Sequence, residues 1–284
     1  MLDDVLAALV SRDTTALAGT RNTENGIELP VGEGLWATAD RIGPYRHAFL
    51  DSAGEQAAAF ATVTEGAARS IMALRVKATG GAVREIEALV ARPPLFGGAG
   101  GFGDGPAQLG RAGEPDAGWF GEAAPRLPRE DLRRIADAYF AGLERNDGRG
   151  DYPFADGCIR IENGFRTTEV PAGSAGKTPY LEAFRALTAK QQFETGFFRF
   201  VTRIRERRFP VIDEARGVVF AFAFFDHDGT VRDYTLADGT PRTGVDRPFS
   251  WMIAEAFRIE RGLLTRIEAL MAEVPYGHRS GWLS

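Results

Sequence analysis

The sequence contains very little cysteine and histidine. A single cysteine, Cys158, among 284 residues excludes an internal disulfide framework, so folding does not depend on an oxidising compartment. The three histidines, His47, His227 and His278, lie far apart and lack the short His-x-His or His-x3-His spacings that are typical of metal sites. We therefore expect no metal centre.

Long apolar runs and an excess of basic charge are also absent. No stretch approaches the length of a membrane span, and the amino terminus carries acidic residues where a secretory signal needs basic ones. The 34 basic residues are interleaved with 39 acidic ones, and the net charge is −5. These features argue against nucleic acid or a membrane as the partner and favour a cytoplasmic protein.

Glycine and proline are concentrated in one segment, residues 93–127, which has little periodicity and is interpreted as a linker or a loose surface excursion. Within it, "GAGGFG" at 98–103 formally matches a dinucleotide-binding fingerprint. Asp-Gly-Pro follows instead of a helix, so we interpret the match as chance and expect no cofactor.

Three short motifs occur twice in the same order. Similar helix ends, "AALVSRD" at 7–13 and "AGLERND" at 141–147, are followed by Glu-Asn-Gly at 24–26 and 162–164. Ile-Glu-Ala-Leu follows at 86–89 and 267–270, each time where two alternating strands meet at a Gly-containing turn. The chain is therefore predicted to hold two copies of one unit, residues 1–92 and 128–284.

Local patterns give the elements of each copy. Apolar spacing predicts helices over 2–12 and 129–145, and Thr178-Pro179 is typical of a further helix start. The predicted strands are 56–64, 69–78 and 82–92 in the first copy, and 196–209, 217–226, 250–260 and 263–273 in the second. Helices followed by a mostly antiparallel sheet indicate an α+β fold.

The second copy resembles the nuclear transport factor 2-like superfamily, which includes the SnoaL-like polyketide cyclases and ketosteroid isomerase. The resemblance rests on helix, "YPFADGCIRIENGF", helix and an antiparallel sheet that ends in a Gly-turn hairpin. It covers 129–275 well and 1–92 poorly, because the first copy shows no second helix. It implies two tandem cone-shaped units, each a curved antiparallel sheet with packed helices around an apolar pocket.

The ketosteroid isomerases resemble "DAYFAGLERND" closely enough that Tyr139 falls at their oxyanion-donating tyrosine. Asn163 falls at their aspartate base, and because asparagine cannot accept a proton at neutral pH, the isomerase reaction does not carry over. The neighbouring Glu162 is an alternative base, although strand alternation would place Glu162 and Asn163 on opposite faces. Alternation alone does not decide which of the two faces the pocket.

Other residues offer acid, base or anion-binding groups. His227, in "FFDHDG", is either part of a solvated hairpin tip with Asp228-Gly229 as its turn or a general acid or base. In "FVTRIRERRF", Arg203, Arg205 and Arg207 are predicted to share one strand face, either solvated or holding a phenolate or carboxylate. On the next strand, Phe222 belongs to a bulky set that alternates with Val219, Ala221 and Ala223, small enough to leave room for an aromatic ring.

Two more segments contain candidate residues. The tail "VPYGHRSGW" brings Tyr276 and His278, which would close a pocket or contact another subunit. "YRHAF" in the first copy brings Arg46 and His47, which could face a site between the copies. Cys158 has no identified base partner and is predicted to be a buried strand residue.

Together these residues fit a cofactor-free enzyme. The segments "RIENGFRTT", "RRFPVIDEARGVVFAFAFFDHDG" and "VPYGHRSGW" resemble those of the tandem proteins of the superfamily. Kinship with its diarylpropane lyases, which release formaldehyde from lignin dimers, implies a carbon–carbon lyase that acts on a small aromatic alcohol. In that reaction Tyr139 or His227 is the acid, His278 or Glu162 the base, and an arginine holds the phenolate. An isomerase, dehydratase or cyclase, or a non-catalytic ligand-binding or assembly module, is the alternative, and a homo-oligomer is expected.

Overall fold

A computed structural model describes residues 1–93, 104–171 and 179–282. The first unit contains two helices and six strands: α1 Leu2–Ser11, β1 Arg21–Glu24, β2 Ile27–Glu28, α2 Leu35–Thr38, β3 Ala39–Asp51, β4 Gln56–Glu65, β5 Ala68–Thr79 and β6 Ala82–Ala91. Helix α3, Gly105–Ala112, and a 3₁₀ turn, Ala117–Trp119, follow it.

The second unit begins at a long helix and contains eight strands: α4 Arg129–Glu144, β7 Phe154–Glu162, β8 Phe165–Arg166, α5 Pro179–Ala186, α6 Ala189–Glu194, β9 Arg203–Asp213, β10 Val218–His227, β11 Asp233–Thr235, β12 Pro241–Thr243, β13 Phe249–Glu260 and β14 Leu263–Val274. The predicted helices at 2–12 and 129–145 are confirmed. The predicted strands are confirmed apart from the start of β9. The "GAGGFG" segment lies outside the described residues.

The two units have the same strand topology. The sheet orders are β2-β1-β6-β5-β4-β3 and β8-β7-β14-β13-β10-β9, and in each sheet only the second and third strands of that order run parallel to each other. The α+β class and the presence of two repeated units are therefore confirmed. The second unit differs by an added two-stranded sheet, β11–β12, between β10 and β13.

The repeated Glu-Asn-Gly forms the same turn in both units. Asn25 and Asn163 each have a φ of 47°, in the left-handed region that asparagine and glycine tolerate best. The Asn25 amide donates to the Val90 carbonyl at 3.1 Å and accepts from the Val90 N–H at 2.7 Å. The Asn163 amide makes the same pair of bonds to Met271, at 3.2 and 2.8 Å. Each asparagine thus joins its turn to the strand that carries Ile-Glu-Ala-Leu.

The two sheets pack face to face, and helices cover their outer faces. Strand alternation directs Phe220, Phe222 and Phe224 toward the first unit, where they meet Phe49 and Phe60. The small set on the same strand, Val219, Ala221 and Ala223, faces α4 instead. Each such buried aromatic side chain contributes roughly 1.5–3 kcal/mol, so the contact between the sheets fixes one unit on the other.

The segment that follows each unit crosses to the other unit. After the first unit, Asp116 accepts from Arg266 Nε at 2.6 Å, and Trp119 is buried. After the second, His278 Nε2 lies 2.8 Å from the Asn25 carbonyl, and Trp282 Nε1 donates to Thr23 Oγ1 at 2.9 Å. At Asp116 and Trp119 the segment is therefore anchored to the rest of the protein, and the linker and its boundaries at 92 and 128 stay a prediction.

Two local expectations are wrong. Residues Phe197–Phe200 form a 3₁₀ helix, so the strand predicted from 196 begins only at Arg203. Asp228-Gly229 does not close a two-residue hairpin, because the chain reaches β13, the partner of β10, only after β11 and β12.

The predicted arginine face is also wrong. Glu206 has a φ of 51°, and a register shift follows it, so the strand alternation is broken there. As a result Arg205 lies over Phe224, between the sheets, whereas Arg207 lies on the opposite face against α4, where it pairs with Glu144 at 2.6 Å.

Candidate active site

A cluster of polar side chains is buried on the helix-covered face of the second sheet. Its centre is Arg160 on β7, which is 1% exposed. Arg160 Nη1 donates to Gln192 Oε1 at 2.9 Å, and Nη2 donates to the Tyr139 hydroxyl at 3.4 Å. The same Nη2 forms an ion pair with Glu162, and the guanidinium lies 5.6 Å from the ring centre of Phe193. The Arg160 guanidinium is therefore fixed by polar groups from one strand and two helices.

Regular local structure positions these groups. Tyr139 belongs to the apolar stripe of α4, which begins with the acidic residues Glu130 and Asp131 in its first turn. Gln192 lies on α6, whose amino terminus is closed by a capping box between Thr188 and Gln191. Arg160 and Glu162 are two residues apart on β7 and so share a face.

Glu255 adds a carboxyl group to this cluster. It lies on β13 between Ile253 and Phe257, is 2% exposed, and lies near enough to Tyr139 and Arg160 for both to affect its ionisation. Burial raises the pKa of Glu255 to about 8, against the opposing effect of Arg160. Burial likewise raises the pKa of Tyr139 well above its usual value. At neutral pH Glu255 is therefore mainly a neutral acid beside a neutral phenol.

Two atoms of the cluster lack a partner among the residues that the structure describes. These are Glu255 Oε2 and Arg160 Nε, and both are buried. Unpartnered buried polar groups are costly, roughly 1–3 kcal/mol each, and are concentrated at functional sites. The cluster thus brings a hydroxyl, a protonated carboxyl, a cation and the carboxylate of Glu162 together in the buried interior of the second unit.

The first unit has no counterpart to this cluster. Leu89 and Leu270 are equivalent residues of the repeated Ile-Glu-Ala-Leu motif. With these two superimposed, the register of the neighbouring strands makes Leu74 the counterpart of Glu255. The Glu-Asn-Gly motifs align Asn22 with Arg160, and the helix ends align Val5 with Tyr139. Val5 and Leu74 are buried and apolar, and Asn22 accepts from Trp36 Nε1 at 3.2 Å. The candidate site is thus specific to the second unit.

Among the residues predicted from the sequence, Tyr139 and Glu162 come together in this cluster. Alternation had left open whether Glu162 or Asn163 faces the site. The Glu162 side chain reaches Arg160, whereas both polar atoms of the Asn163 amide bond the Met271 backbone. Of the two, Glu162 is therefore the residue whose side chain reaches the cluster, and Asn163 has a structural role.

The three predicted histidines lie outside the cluster. His227 is fully buried, its ring stacked on Phe249 at 4.3 Å, and burial lowers its pKa to about 4. The interpretation of this segment as a solvated hairpin tip is therefore wrong for His227. His278 lies on the tail that crosses to Asn25, beside the half-exposed Tyr276.

The other predicted binding residues face different surroundings. Arg203 lies at the exposed start of β9, and Arg205 donates to Asp226 at 2.8 Å between the sheets. Phe222 is in the core between the sheets, on the opposite face from Tyr139. Arg46 pairs with Asp3 on the surface.

His47 does lie between the two units, as the sequence suggested. Its Nδ1 is 2.6 Å from Glu268 Oε2, and Tyr45 donates to the other oxygen of Glu268 at 2.8 Å. The ring is enclosed by Phe49 and Trp119, with centres 4.2 and 4.6 Å away. This pair joins the second unit to β3 of the first.

Sequence reasoning missed Arg160, Gln192 and Glu255. A signal for Glu255 was present, because it is the one acidic residue inside the apolar run "FSWMIAEAF" on a predicted strand. Cys158 is a buried strand residue as predicted, and burial raises the pKa of its thiol to about 12.

Within residues 1–93, 104–171 and 179–282, no group of three potential ligands could hold a metal ion. No helix in those ranges is long and apolar enough to cross a bilayer.

The described residues form two α+β units, and the second unit contains this buried polar cluster. A family model, described as a domain of unknown function (DUF8021), matches residues 125–271, just over half of the chain. The chain belongs to this family, and the matched region contains the whole cluster. No curated protein matches the chain.

A structural match was found to a de novo designed protein with a curved β-sheet. It covers 51% of this chain and 88% of the designed chain, at 12% identity and a TM-score of 0.28. No structural conclusion rests on a similarity at this level.

Proposed function

We propose that the second unit is a cofactor-independent acid–base enzyme that acts on a small aromatic alcohol. The observation that carries the proposal is the buried pair of Tyr139 with Glu255, whose pKa is raised to about 8. A hydroxyl beside a neutral carboxylic acid in an apolar site supplies two donors for negative charge that develops on a substrate oxygen. Glu162 supplies a base, and Arg160 supplies a fixed positive charge.

The first reaction we assign to this site is carbon–carbon cleavage of a phenolic diarylpropanediol. Tyr139 or Glu255 protonates the departing benzylic hydroxyl, which leaves as water, while the para-phenol gives electrons to form a quinone methide. Arg160 is suited to hold the phenolate oxygen. Glu162 then removes the proton of the terminal alcohol, so formaldehyde departs and the carbon–carbon electron pair restores the phenol ring and forms a stilbene.

Kinship with the nuclear transport factor 2-like superfamily is part of this proposal. It is supported by α4 and α6 covering one face of a sheet whose opposite face packs on another sheet. In that view each unit is a cone, and the site lies inside the second one. A homo-oligomer and a cytoplasmic location stay predictions; because the inner faces of the two sheets already bury each other, an oligomer would use another surface.

Formaldehyde release tests the reaction directly. Purified protein is incubated with a phenolic 1,2-diarylpropane-1,3-diol, and the formaldehyde and stilbene released are quantified. We expect the two products in equal amounts. Tyr139→Phe is expected to lower the rate about 100-fold or more, because one donor is lost. Tyr152→Phe is the matched control: Tyr152 is a buried tyrosine of the same core whose hydroxyl contacts Asn146 instead, and its loss should leave the rate within a few-fold.

A second candidate is an isomerase, dehydratase or cyclase, favoured by the same donor pair, which suits an enolate equally well. Exchange of an α-proton of a ketone substrate for deuterium, with loss of exchange in Tyr139→Phe, would support it over the lyase. Tight binding of the diol with neither formaldehyde nor exchange would support a binding module and exclude both enzymes.

A further inference from the structure

Among the described residues, the hairpin β11–β12 occurs in the second unit and has no equivalent in the first. In the first unit the strands equivalent to β10 and β13 are β4 and β5, and residues 66–67 alone connect them. In the second unit residues 228–248 make this connection and contain the hairpin. The two hairpin strands pair with each other as a separate small sheet. The unit that holds the buried polar cluster is thus the one that carries the added hairpin.

The hairpin lies on aromatic side chains that cover the cluster. The Arg242 guanidinium of β12 lies 3.6 Å from the ring centre of Tyr180 on α5 and 5.6 Å from that of Phe197. Phe197 contacts Phe198 with ring centres 5.4 Å apart, and the Phe198 ring centre lies 5.3 Å from the Arg160 guanidinium. Two phenylalanine side chains therefore separate the hairpin from the centre of the cluster.

The cluster is closed to solvent beneath this covering. Tyr139, Arg160 and Glu255 are each no more than 2% exposed, and Gln192 is fully buried. Gln192, which accepts from Arg160, also donates to the Phe184 carbonyl of α5 at 3.0 Å. A molecule that reaches Arg160 must therefore displace part of the covering.

The hairpin is attached to this covering by side chains and single hydrogen bonds rather than by a strand ladder. The Tyr234 hydroxyl donates to the Phe197 carbonyl at 2.7 Å, and the Ala237 N–H donates to the Thr195 carbonyl at 2.9 Å. Leu236 is buried on the inner side of the hairpin. By contrast, β10 and β13 pair with each other along their length. The hairpin can therefore separate from the covering without disrupting the large sheet.

The base and the outer part of the hairpin differ. At the base, His227 and Phe249 are the last paired residues of β10 and β13, their rings stack at 4.3 Å, and Phe200 also stacks on His227 at 5.7 Å. In the outer part, the Tyr180 hydroxyl and Arg242 Nε are buried without a hydrogen-bond partner in the described part of the chain. Because both groups gain water when exposed, opening is favoured at Arg242 and resisted at His227.

We propose that β11–β12 is a lid over the acid–base cluster and that a small aromatic molecule enters beneath it. The lid opens where Arg242 separates from Tyr180. Its opening exposes Phe197 and Phe198, whose rings give an entering aromatic ring an apolar surface on the way to Arg160. The entry of such a molecule rests on the function proposed above, whereas the opening of the lid does not.

Hydrogen exchange followed by mass spectrometry tests the opening without any substrate. Amides of β11 and β12 should exchange about ten-fold faster, or more, than those of β10 and β13. Arg242→Gln removes the cation–π contact with Tyr180 and should speed exchange of the hairpin about ten-fold further, with that of β13 unchanged. Thr243→Ala is the matched control, because this neighbouring side chain is exposed, and it should leave exchange within about two-fold.

A covalent latch tests the entry of the substrate. In the double variant Tyr180→Cys with Arg242→Cys, a short bis-maleimide joins the two new thiols, while Cys158 stays buried. The cross-linked protein should release formaldehyde about ten-fold more slowly, or less, than the same variant treated with N-ethylmaleimide, which modifies the thiols without joining the hairpin to α5. Its hairpin amides should also exchange more slowly than those of this control.

Two outcomes would overturn the lid. One is hairpin exchange that is the same in Arg242→Gln as in the wild type. The other is formaldehyde release by the cross-linked protein at the rate of the N-ethylmaleimide control. If no form releases formaldehyde but Arg242→Gln speeds hairpin exchange, the proposed function fails and the lid stands. Unchanged exchange of β13 shows that the Arg242→Gln variant is folded.

Discussion

The two units have one topology but differ in what lies beneath their helices. Where the second unit buries Tyr139, Arg160 and Glu255, the first has Val5, Asn22 and Leu74. The first unit therefore shows that the same architecture has neither a charged group nor a carboxyl at these positions. Because burying charge and carboxyl groups costs free energy, the polar set of the second unit is best explained by function rather than by folding.

The largest expected effect on stability comes from introducing a carboxyl group into the first unit, at the position equivalent to Glu255. Leu74→Glu would place a carboxyl in an apolar core that contains no arginine at the Arg160 position, and should lower the free energy of unfolding by more than about 3 kcal/mol. Leu74→Met keeps the volume and should cost less than about 1.5 kcal/mol. Urea denaturation measures both. Equal costs for the two variants would mean that the first interior is as tolerant of polar groups as the second.

The reverse replacement sharpens the same comparison. Glu255→Leu introduces the residue found in the first unit and should raise the free energy of unfolding by about 1 kcal/mol, because an incompletely bonded carboxyl is removed. It should also remove the proposed activity. A strong loss of stability would show instead that Glu255 is part of the structural core.

An effect smaller than that of Leu74→Glu is expected where the two units are alike. Asn25→Ala and Asn163→Ala each remove two hydrogen bonds and leave a side chain that tolerates a φ of 47° poorly, so each should cost about 2–3 kcal/mol. Asn→Gly at either site keeps the backbone conformation and should cost less. Denaturation of all four variants checks this, and costs that differ widely between the units would contradict the equivalence of the turns.

The sequence predicted what depends on local pattern and on the repeat. The two copies, the helices at both starts and most strands follow from spacing alone. The resemblance placed Tyr139 at a family position, and Glu162 came in as the neighbour of Asn163, which occupies the family's base position. The Arg203, Arg205 and Arg207 face could not be predicted, since the left-handed Glu206 reverses alternation at one residue. Arg160 could not be paired with Gln192, because that contact spans 32 residues and depends on where α6 packs.

The smallest effect is a pH dependence that the first unit lacks. Glu255 has a pKa raised to about 8, against the ordinary glutamate value of 4.5, so over that interval the native state holds one proton more than the unfolded state. The free energy of unfolding must then fall as pH rises, with a slope of up to about 1.4 kcal/mol per pH unit. Glu255→Gln cannot titrate and should flatten this slope.

Titration of His227 changes the free energy of unfolding in the opposite direction over part of the same pH range. Its pKa is lowered to about 4 from the ordinary histidine value of 6.5, so the stability due to the neutral imidazole is complete above pH 6.5 and is lost as the pH falls toward 4. Between pH 7 and 8 the His227 contribution is constant, and the difference between wild type and Glu255→Gln reports Glu255 alone. A difference of about 1 kcal/mol is expected over that unit. Parallel profiles would mean that Glu255 is ionised in the folded protein, and the donor pair on which the proposed chemistry rests would not exist.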